Sequence, residues 1–437
     1  MTGLPSDHSE RLVLAEEVHA RQYDALDTPQ RATHVAVLVD VGDREREHAH
    51  VAALCAQFDV APPSGSTIQF SAQLGTLRLK WERHGEFSGY TFFRAGSNPL
   101  PFSEPATDLL PEGWLAGIPG KTVVAAHTEL VAADTEPPDA AILAEYFAGH
   151  VAAGAEIGDG AGLAYTDFRI HSDGYSRFLV LSRELTPREA GRMLQRLFEI
   201  EAYRMMALLA LPIARGLAPR ILAIERALTA LTTDIAGEGG DDEALLGELT
   251  KRGAEVESSL AASQSRFGAS RAYYELVRTR IAELRERRLV GAQTIQGFIN
   301  RRLAPAMATC AAVSQRLQNL SERVAQASGL LSTRVDIARE KQNQALLASM
   351  DRRARQQLRL QQTVEGLSIA AITYYVVGLV GYAIKAIAAS GVALHVDPDL
   401  ATGVAIPIVA VLVTLAVRRI RRSIADADGG SPPQSAR

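Results

Sequence analysis

A chain of 437 residues (47.0 kDa), 47% apolar and 22% charged, has the material for a buried core and the length for two or three structural units, which excludes global disorder. Its net charge of -4 and pI near 6.2 exclude the basic excess of a general nucleic-acid binder. Its two cysteines, Cys55 and Cys310, lie far apart, which excludes a disulfide framework or a cysteine-rich zinc module and suits a reducing compartment.

Residues 1–10 read as a flexible tail. MTGLPSDHSE has no basic region followed by an apolar run, so no export signal is expected. Helices are expected over Arg11 to Arg21 and Arg44 to Phe58. Thr33 to Val41 is rich in valine and bounded by Pro29 and Gly42, as a strand would be. Leu77 to His84 alternates, with Leu77, Leu79 and Trp81 on one face and Arg78, Lys80, Glu82 and His84 on the other, and Phe87 to Arg94 is its expected partner. Gly117-Ile118-Pro119-Gly120-Lys121-Thr122 invites a phosphate-loop reading. Leu115 stands where that loop needs a small residue, and Val123 and Val124 continue as a strand instead of opening a helix, so the reading fails. Lys121 to Leu130 is therefore a strand, and Asp139 to Ala155 a weak helix. Leu163 to His171 and Tyr175 to Ser182 flank Ser172-Asp173-Gly174, a tight-turn signature, and read as a hairpin. Together, residues 11–185 predict a cytoplasmic α+β domain with a mostly antiparallel sheet and helices on one side.

Proline usage then changes. Fourteen of the 19 prolines fall at or before Pro219, and only Pro305 lies between there and Pro398. Proline inside a helix costs about 3 kcal/mol, so residues 186–366 should be a stalk of long helices. Thr186-Pro187-Arg188-Glu189 is a helix start, with a bend expected at Pro212 and Pro219. Breaks follow at Gly237 to Asp242 and near Gly291 and Pro305. Val313, Leu317, Leu320, Val324, Ala327 and Leu331 form a short heptad seam, open to packing within the chain or to a coiled coil between chains.

Leu367 to Ala389 and Leu400 to Val417 are two apolar runs, the second near the lower length limit for crossing a bilayer. Arg352, Arg353, Arg355 and Arg359 precede the first; Arg418, Arg419, Arg421 and Arg422 follow the second. The connection from Ser390 to Asp399 has no Lys or Arg. Positive flanks stay in the cytoplasm, so a two-helix transmembrane hairpin (367–417) is expected, with both termini and the basic tail 418–437 cytoplasmic. Gly378 and Gly381 offer small faces for helix packing.

No zinc-protease or hydrolase motif is present. A softer constellation remains. Glu82, His84 and Glu86 belong to one strand and its end, His127 and Glu129 share a face of another, Arg169 and His171 share the hairpin, and His19 and Arg21 lie on the first helix. Were these neighbours, imidazoles and carboxylates would converge on a ligand, on a divalent metal or on acid–base work. The alternative is a solvated polar sheet face with cross-strand ion pairs. No cofactor is named by these residues.

EEVHAR (Glu16 to Arg21), LKWERHGEFSGYTFF (Leu79 to Phe93), YRMMALLALPIAR (Tyr203 to Arg215) and TVEGLSIAAITYYVVGLVGYAIKA (Thr363 to Ala386) resemble the bacterial family catalogued as domain of unknown function 3422, whose members are described as uncharacterised membrane-anchored proteins. The architecture is also similar to that of the CorA magnesium channels. Those carry Gly-Met-Asn at the outer end of the first membrane helix, where this chain has Ala388-Ala389-Ser390-Gly391-Val392. The expectation is an inner-membrane-anchored bacterial protein with a structural, regulatory or ligand-sensing cytoplasmic domain. Its partners would be the lipid bilayer and a second copy through stalk and membrane helices, and nucleic acid is not among them. The alternatives are a CorA-like ion channel and a metal-dependent or acid–base enzyme.

Overall fold

The computed structural model describes residues 6–12, 14–15, 23–65, 67–133, 138–237, 241–389 and 397–428. The helix expected over Arg11 to Arg21 falls mostly outside these residues. The chain forms two compact units, residues 1–331 and 332–437.

In the first unit, the valine-rich run becomes β1 (Gln30–Leu38), followed by α1 (Arg44–Gln57), β2 (Gln69–Leu74), β3 (Leu77–Arg83), β4 (Phe87–Ala95) and β5 (Lys121–Ala132). Next come α2 (Ala140–Tyr146), β6 (Ala153–Ile157), β7 (Gly162–Thr166) and β8 (Ser176–Ser182). The helical part contains α3 (Pro187–Leu208), α4 (Ala210–Ala236), α5 (Asp242–Glu283), the short β9 (Arg287–Arg288) and the start of α6 (Ile295–Ala389). The nine strands form one sheet in the order β2-β3-β4-β1-β5-β8-β7-β6-β9. Every pairing is antiparallel except β5 with β8.

Both faces of this sheet are covered, which corrects the expectation of helices on one side. One face carries Ala32, Ala36, Phe87, Phe93, Ala126, Leu130, Phe178 and Val180, and shares a core with Met193, Leu194, Leu197 and Phe198 of α3. The other carries Val35, Val37, Leu79, Trp81, Tyr90 and Phe92, packed on Val51 and Leu54 of α1 and on Trp114. Two apolar faces cannot both be left in water, so two layers close over them.

The helix start at Thr186 has the expected capping box: the Thr186 hydroxyl accepts from Glu189 N, and the Glu189 carboxylate accepts from Thr186 N. The helix breaks at Leu209, just before Pro212, whose ring is incompatible with the carbonyl one turn earlier; Pro219 sits inside α4. The break near Gly291 (φ +83) is present, whereas α6 runs through Pro305 without interruption. All six heptad positions are buried. They share one core with Ile224, Leu228 and Leu231 of α4 and Leu249 and Val256 of α5, and the Arg316 guanidinium clamps Glu225 of α4 at 2.6 and 3.2 Å. The seam is thus satisfied within the chain. The compact unit accordingly extends from the sheet to Leu331, and the change at residue 186 is one of secondary structure inside a single unit.

The second unit holds the remainder of α6 and α7 (Pro398–Asp428). A Cβ added at Gly381 would lie 3.4 Å from Thr402 Cγ2, so this glycine faces α7, whereas Gly378 has nothing within 4 Å. Arg352, Arg353, Arg355, Arg359, Arg418 and Arg419 are exposed on these helices, and Arg355 pairs with Asp351. The side chains of Arg421 and Arg422 lie outside the described residues.

Candidate functional site

The register decides which of the expected residues can meet. Glu82 lies opposite Gly89, Gly89 opposite Ala36, and Ala36 opposite Val124, so these four share a face. His127 and Glu129, three and five residues past Val124, point to the other face. The expected convergence of Glu82 and His84 with His127 and Glu129 therefore does not occur: a sheet stands between them. His19 and Arg21 lie outside the described residues.

On the α3 side, Glu82 joins a cluster that sequence patterning missed. Gln195, Glu199 and Tyr203 are spaced four apart on α3 and line one cavity with Asp24, His34, Lys80, Glu82 and His84. The buried Lys80 ammonium lies 3.0 Å from Gln195 Oε1, 3.2 Å from Glu82 Oε1 and 3.9 Å from Asp24 Oδ2. Gln195 donates to Glu199 at 2.9 Å, and Glu199 pairs with Arg280 of α5. His34 Nδ1 is 2.8 Å from Thr91 Oγ1 and its ring stacks on Phe198. Burial, reinforced by the neighbouring His84 and Lys80, lowers the His34 pKa to about 3, so the ring is neutral. Burial also raises Glu82 against the opposing pull of Lys80. His84 stacks on Phe87 and meets Tyr203 edge-on. The cavity, about 30 Å³, has room for a water or two and none for an organic substrate. Its chemistry ties sheet to helix. Glu86, in the turn after β3, is half-exposed and makes a two-pronged pair with Arg266 of α5 at 3.1 and 3.2 Å.

On the opposite face, His127 Nδ1 is 2.9 Å from Thr33 Oγ1 and the ring stacks 3.8 Å from Tyr175. Burial lowers its pKa to about 4. Glu129 Oε1 accepts from the backbone N–H of Phe102 at 2.9 Å, and burial raises the carboxyl to about 7 despite that bond and nearby Arg31. Phe102 has φ +66, so Glu129 pins a backbone that non-glycine residues rarely adopt.

Arg169 and His171 occupy a third place. The hairpin forms, with Thr166 opposite Phe178, but its strands are shorter than expected and both residues lie in the connecting loop. His171 Nε2 sits 3.0 Å from Asp167 Oδ2, both side chains almost fully buried, and out of hydrogen-bond alignment. Its ring is 5.9 Å from that of His150. Arg169 lines an open cavity of about 550 Å³ beside Asp167, together with His150, Arg204 of α3 and Arg302 of α6. Arg302 follows Phe298 by four residues on α6 and stacks on it.

Among the described residues, no three His, Cys, Asp or Glu side chains converge to hold a metal. Cys55 and Cys310 are buried thiols.

The fold is thus that of a mixed-sheet domain sharing its core with long helices, followed by a second, apolar helical unit. The family described as "Protein of unknown function (DUF3422)" matches residues 6–424, and the chain belongs to it. No curated protein and no solved structure matches the chain.

Proposed function

We propose that this is an inner-membrane-anchored bacterial protein whose residues up to 331 form a cytoplasmic ligand-sensing or regulatory domain. One contrast carries the reading. Three helical stretches among the described residues, Pro187–Ala236, Ile295–Ile387 and Thr402–Ile420, are long and apolar enough to cross a membrane. The most apolar window of the first is 33% buried, that of the second 0% and that of the third 6%. The first packs its apolar residues into the core of the sheet domain. In the other two, Leu367, Tyr375, Leu379, Val404, Ile408, Leu412 and Leu415 are all exposed. Each such aliphatic side chain left in water forgoes roughly 1.5–3 kcal/mol of burial, a sum that lipid would recover.

The arginines on both outer flanks, against a connection without Lys or Arg, support cytoplasmic termini. The cleft between α6 and α7 is lined by Ile369, Ala370, Val377, Leu379 and tyrosines, with Lys385 and Asp399 as its charged members. One cation against one carboxylate gives this lining no net negative charge to draw cations, which favours an anchor over a CorA-like pathway. The separation of the ionisable residues by the sheet favours a binding role over catalysis. In intact cells, an impermeant thiol reagent added from outside is expected to label Asp397→Cys and to leave Ser431→Cys unlabelled. The reverse pattern overturns the hairpin.

A further inference from the structure

The cavity beside the β7–β8 loop is walled by three guanidinium groups drawn from three separate elements: Arg169 from the loop, Arg204 from α3 and Arg302 from α6. Their partners differ in a telling way. Arg204 is held by the buried Glu201, through Nε to Oε2 at 3.0 Å and Nη2 to Oε1 at 2.6 Å, which leaves Nη1 with no protein acceptor among the described residues. The guanidinium groups of Arg169 and Arg302 have no carboxylate partner among the described residues, although the chain carries more acidic than basic residues. The one carboxylate in the lining, Asp167, accepts from the Arg169 backbone N–H through Oδ1 at 3.2 Å and faces His171 with Oδ2.

Two of the arginines are also held in place. Arg204 lies over the Phe168 ring at 5.3 Å, Phe168 stacks on Phe298 at 4.7 Å, and Arg302 lies over Phe298 at 4.1 Å. An aromatic pair thus fixes one guanidinium on each side and removes part of the rotamer freedom that a surface arginine keeps. Collecting like charges without counter-charges costs energy unless an anion supplies them, and a planar fork of N–H donors matches the oxygens of carboxylate and phosphate.

We propose that this cavity binds a small soluble oxyanion, a phosphate- or carboxylate-bearing metabolite, with Arg169 and Arg302 as its charged contacts and Arg204 as an oriented third donor. The volume of about 550 Å³ accommodates an organic body beyond the anionic group, and Leu208, Ile299 and Leu303 give that body an apolar wall. The proposal rests on the ligand-sensing half of the reading above and not on the anchor, because every lining residue belongs to the first unit.

The test is a calorimetric titration of the detergent-purified full chain with inorganic phosphate, with succinate and, as a control for screening, with chloride at matched ionic strength. Saturable binding of phosphate or succinate that chloride does not reproduce is expected. Arg169→Ala and Arg302→Ala should each weaken it about tenfold or more, the loss of a charge-assisted contact. Arg302→Lys, which keeps the charge and loses the fork, should fall between. Arg169 is exposed and unpaired, so its variant tests the site without touching the core. Binding of neither oxyanion, equal heats with chloride, or affinity unchanged by both alanine variants overturns the proposal. Detergent-purified protein has no sidedness, so this result stands apart from the labelling result.

Discussion

Two glutamates in the first unit are buried on the same side of the sheet with different sets of partners. Glu47 of α1 is completely buried and accepts from Trp81 Nε1 at 3.1 Å, from Tyr90 Oη at 2.9 Å and from Arg44 Nη1 at 3.2 Å, so both its oxygens are occupied. Glu129 has one backbone donor, and its carboxyl is pushed by burial to about 7 although Arg31 lies opposite it on β1. A raised carboxyl binds a proton in the folded chain at pH values where the unfolded chain has released it. Its contribution to stability is therefore full below the ordinary glutamate range near 4.3, and is lost as pH rises through about 7. Glu129→Gln keeps an oxygen for Phe102 N and abolishes the titration. The variant should melt at a higher temperature relative to wild type at pH 8 than at pH 5. An equal difference at the two pH values would show that burial does not strain this carboxylate. His127, lowered to about 4 by burial, works in the other direction, its stabilisation falling away below pH 6.5, so the comparison belongs between variants at each pH rather than along one wild-type curve.

At the scale of elements, α3 reaches the sheet because one of its residues has no side chain. A Cβ on Gly191 would lie 1.6 Å from the carbonyl oxygen of Asp24, and Leu26 N donates to Pro187 O at 2.9 Å. The strand-leading segment thus lies directly on the first turns of α3. Gly191→Ala, ordinarily favourable inside a helix, should here destabilise the protein by about 1–3 kcal/mol as backbone shifts to relieve the clash. Chemical denaturation reads this as a lower midpoint; an unchanged or higher midpoint would refute the close packing of Asp24 on α3. Such contacts are invisible to periodicity. Strand alternation found β3 and its pairing with β4, and the Thr186 box found the start of α3, since both signals are local. The expected helix over Asp139 to Ala155 was half right. Asp139 caps α2, but the chain turns at Ala148 and Gly149, both at positive φ, and residues 153–157 become β6. Gly154 there lies against the Tyr165 ring, a contact that no sequence pattern announces. The site residues fared likewise. Alternation placed Glu82 with His84, and His127 with Glu129, but which strands share a face follows from sheet order and register, which are non-local.

At the scale of the molecule, the two units differ in what they leave to solvent. The first closes its heptad seam at Leu331, which is fully buried, and Arg196 and Arg280 pair across helices with Glu283 and Glu199. Past Ser332, α6 exposes Leu346, Leu347, Met350, Leu358 and Leu360 before its membrane-length run begins. If lipid is the solvent for the apolar helices, their removal should abolish the need for detergent and cost the first unit little, since its core is complete without them. A chain ended after Leu331 is expected to remain in the supernatant after ultracentrifugation without detergent, to unfold in a single cooperative transition, and to keep the melting temperature of the detergent-purified full chain within a few degrees. The full chain should pellet with membranes and resist extraction by high salt or alkaline carbonate, treatments that strip peripheral proteins held by charge but not helices held by apolar burial. Release of the full chain by alkaline carbonate would refute the spanning hairpin, and aggregation of the shortened chain would show that the first unit needs the second to fold.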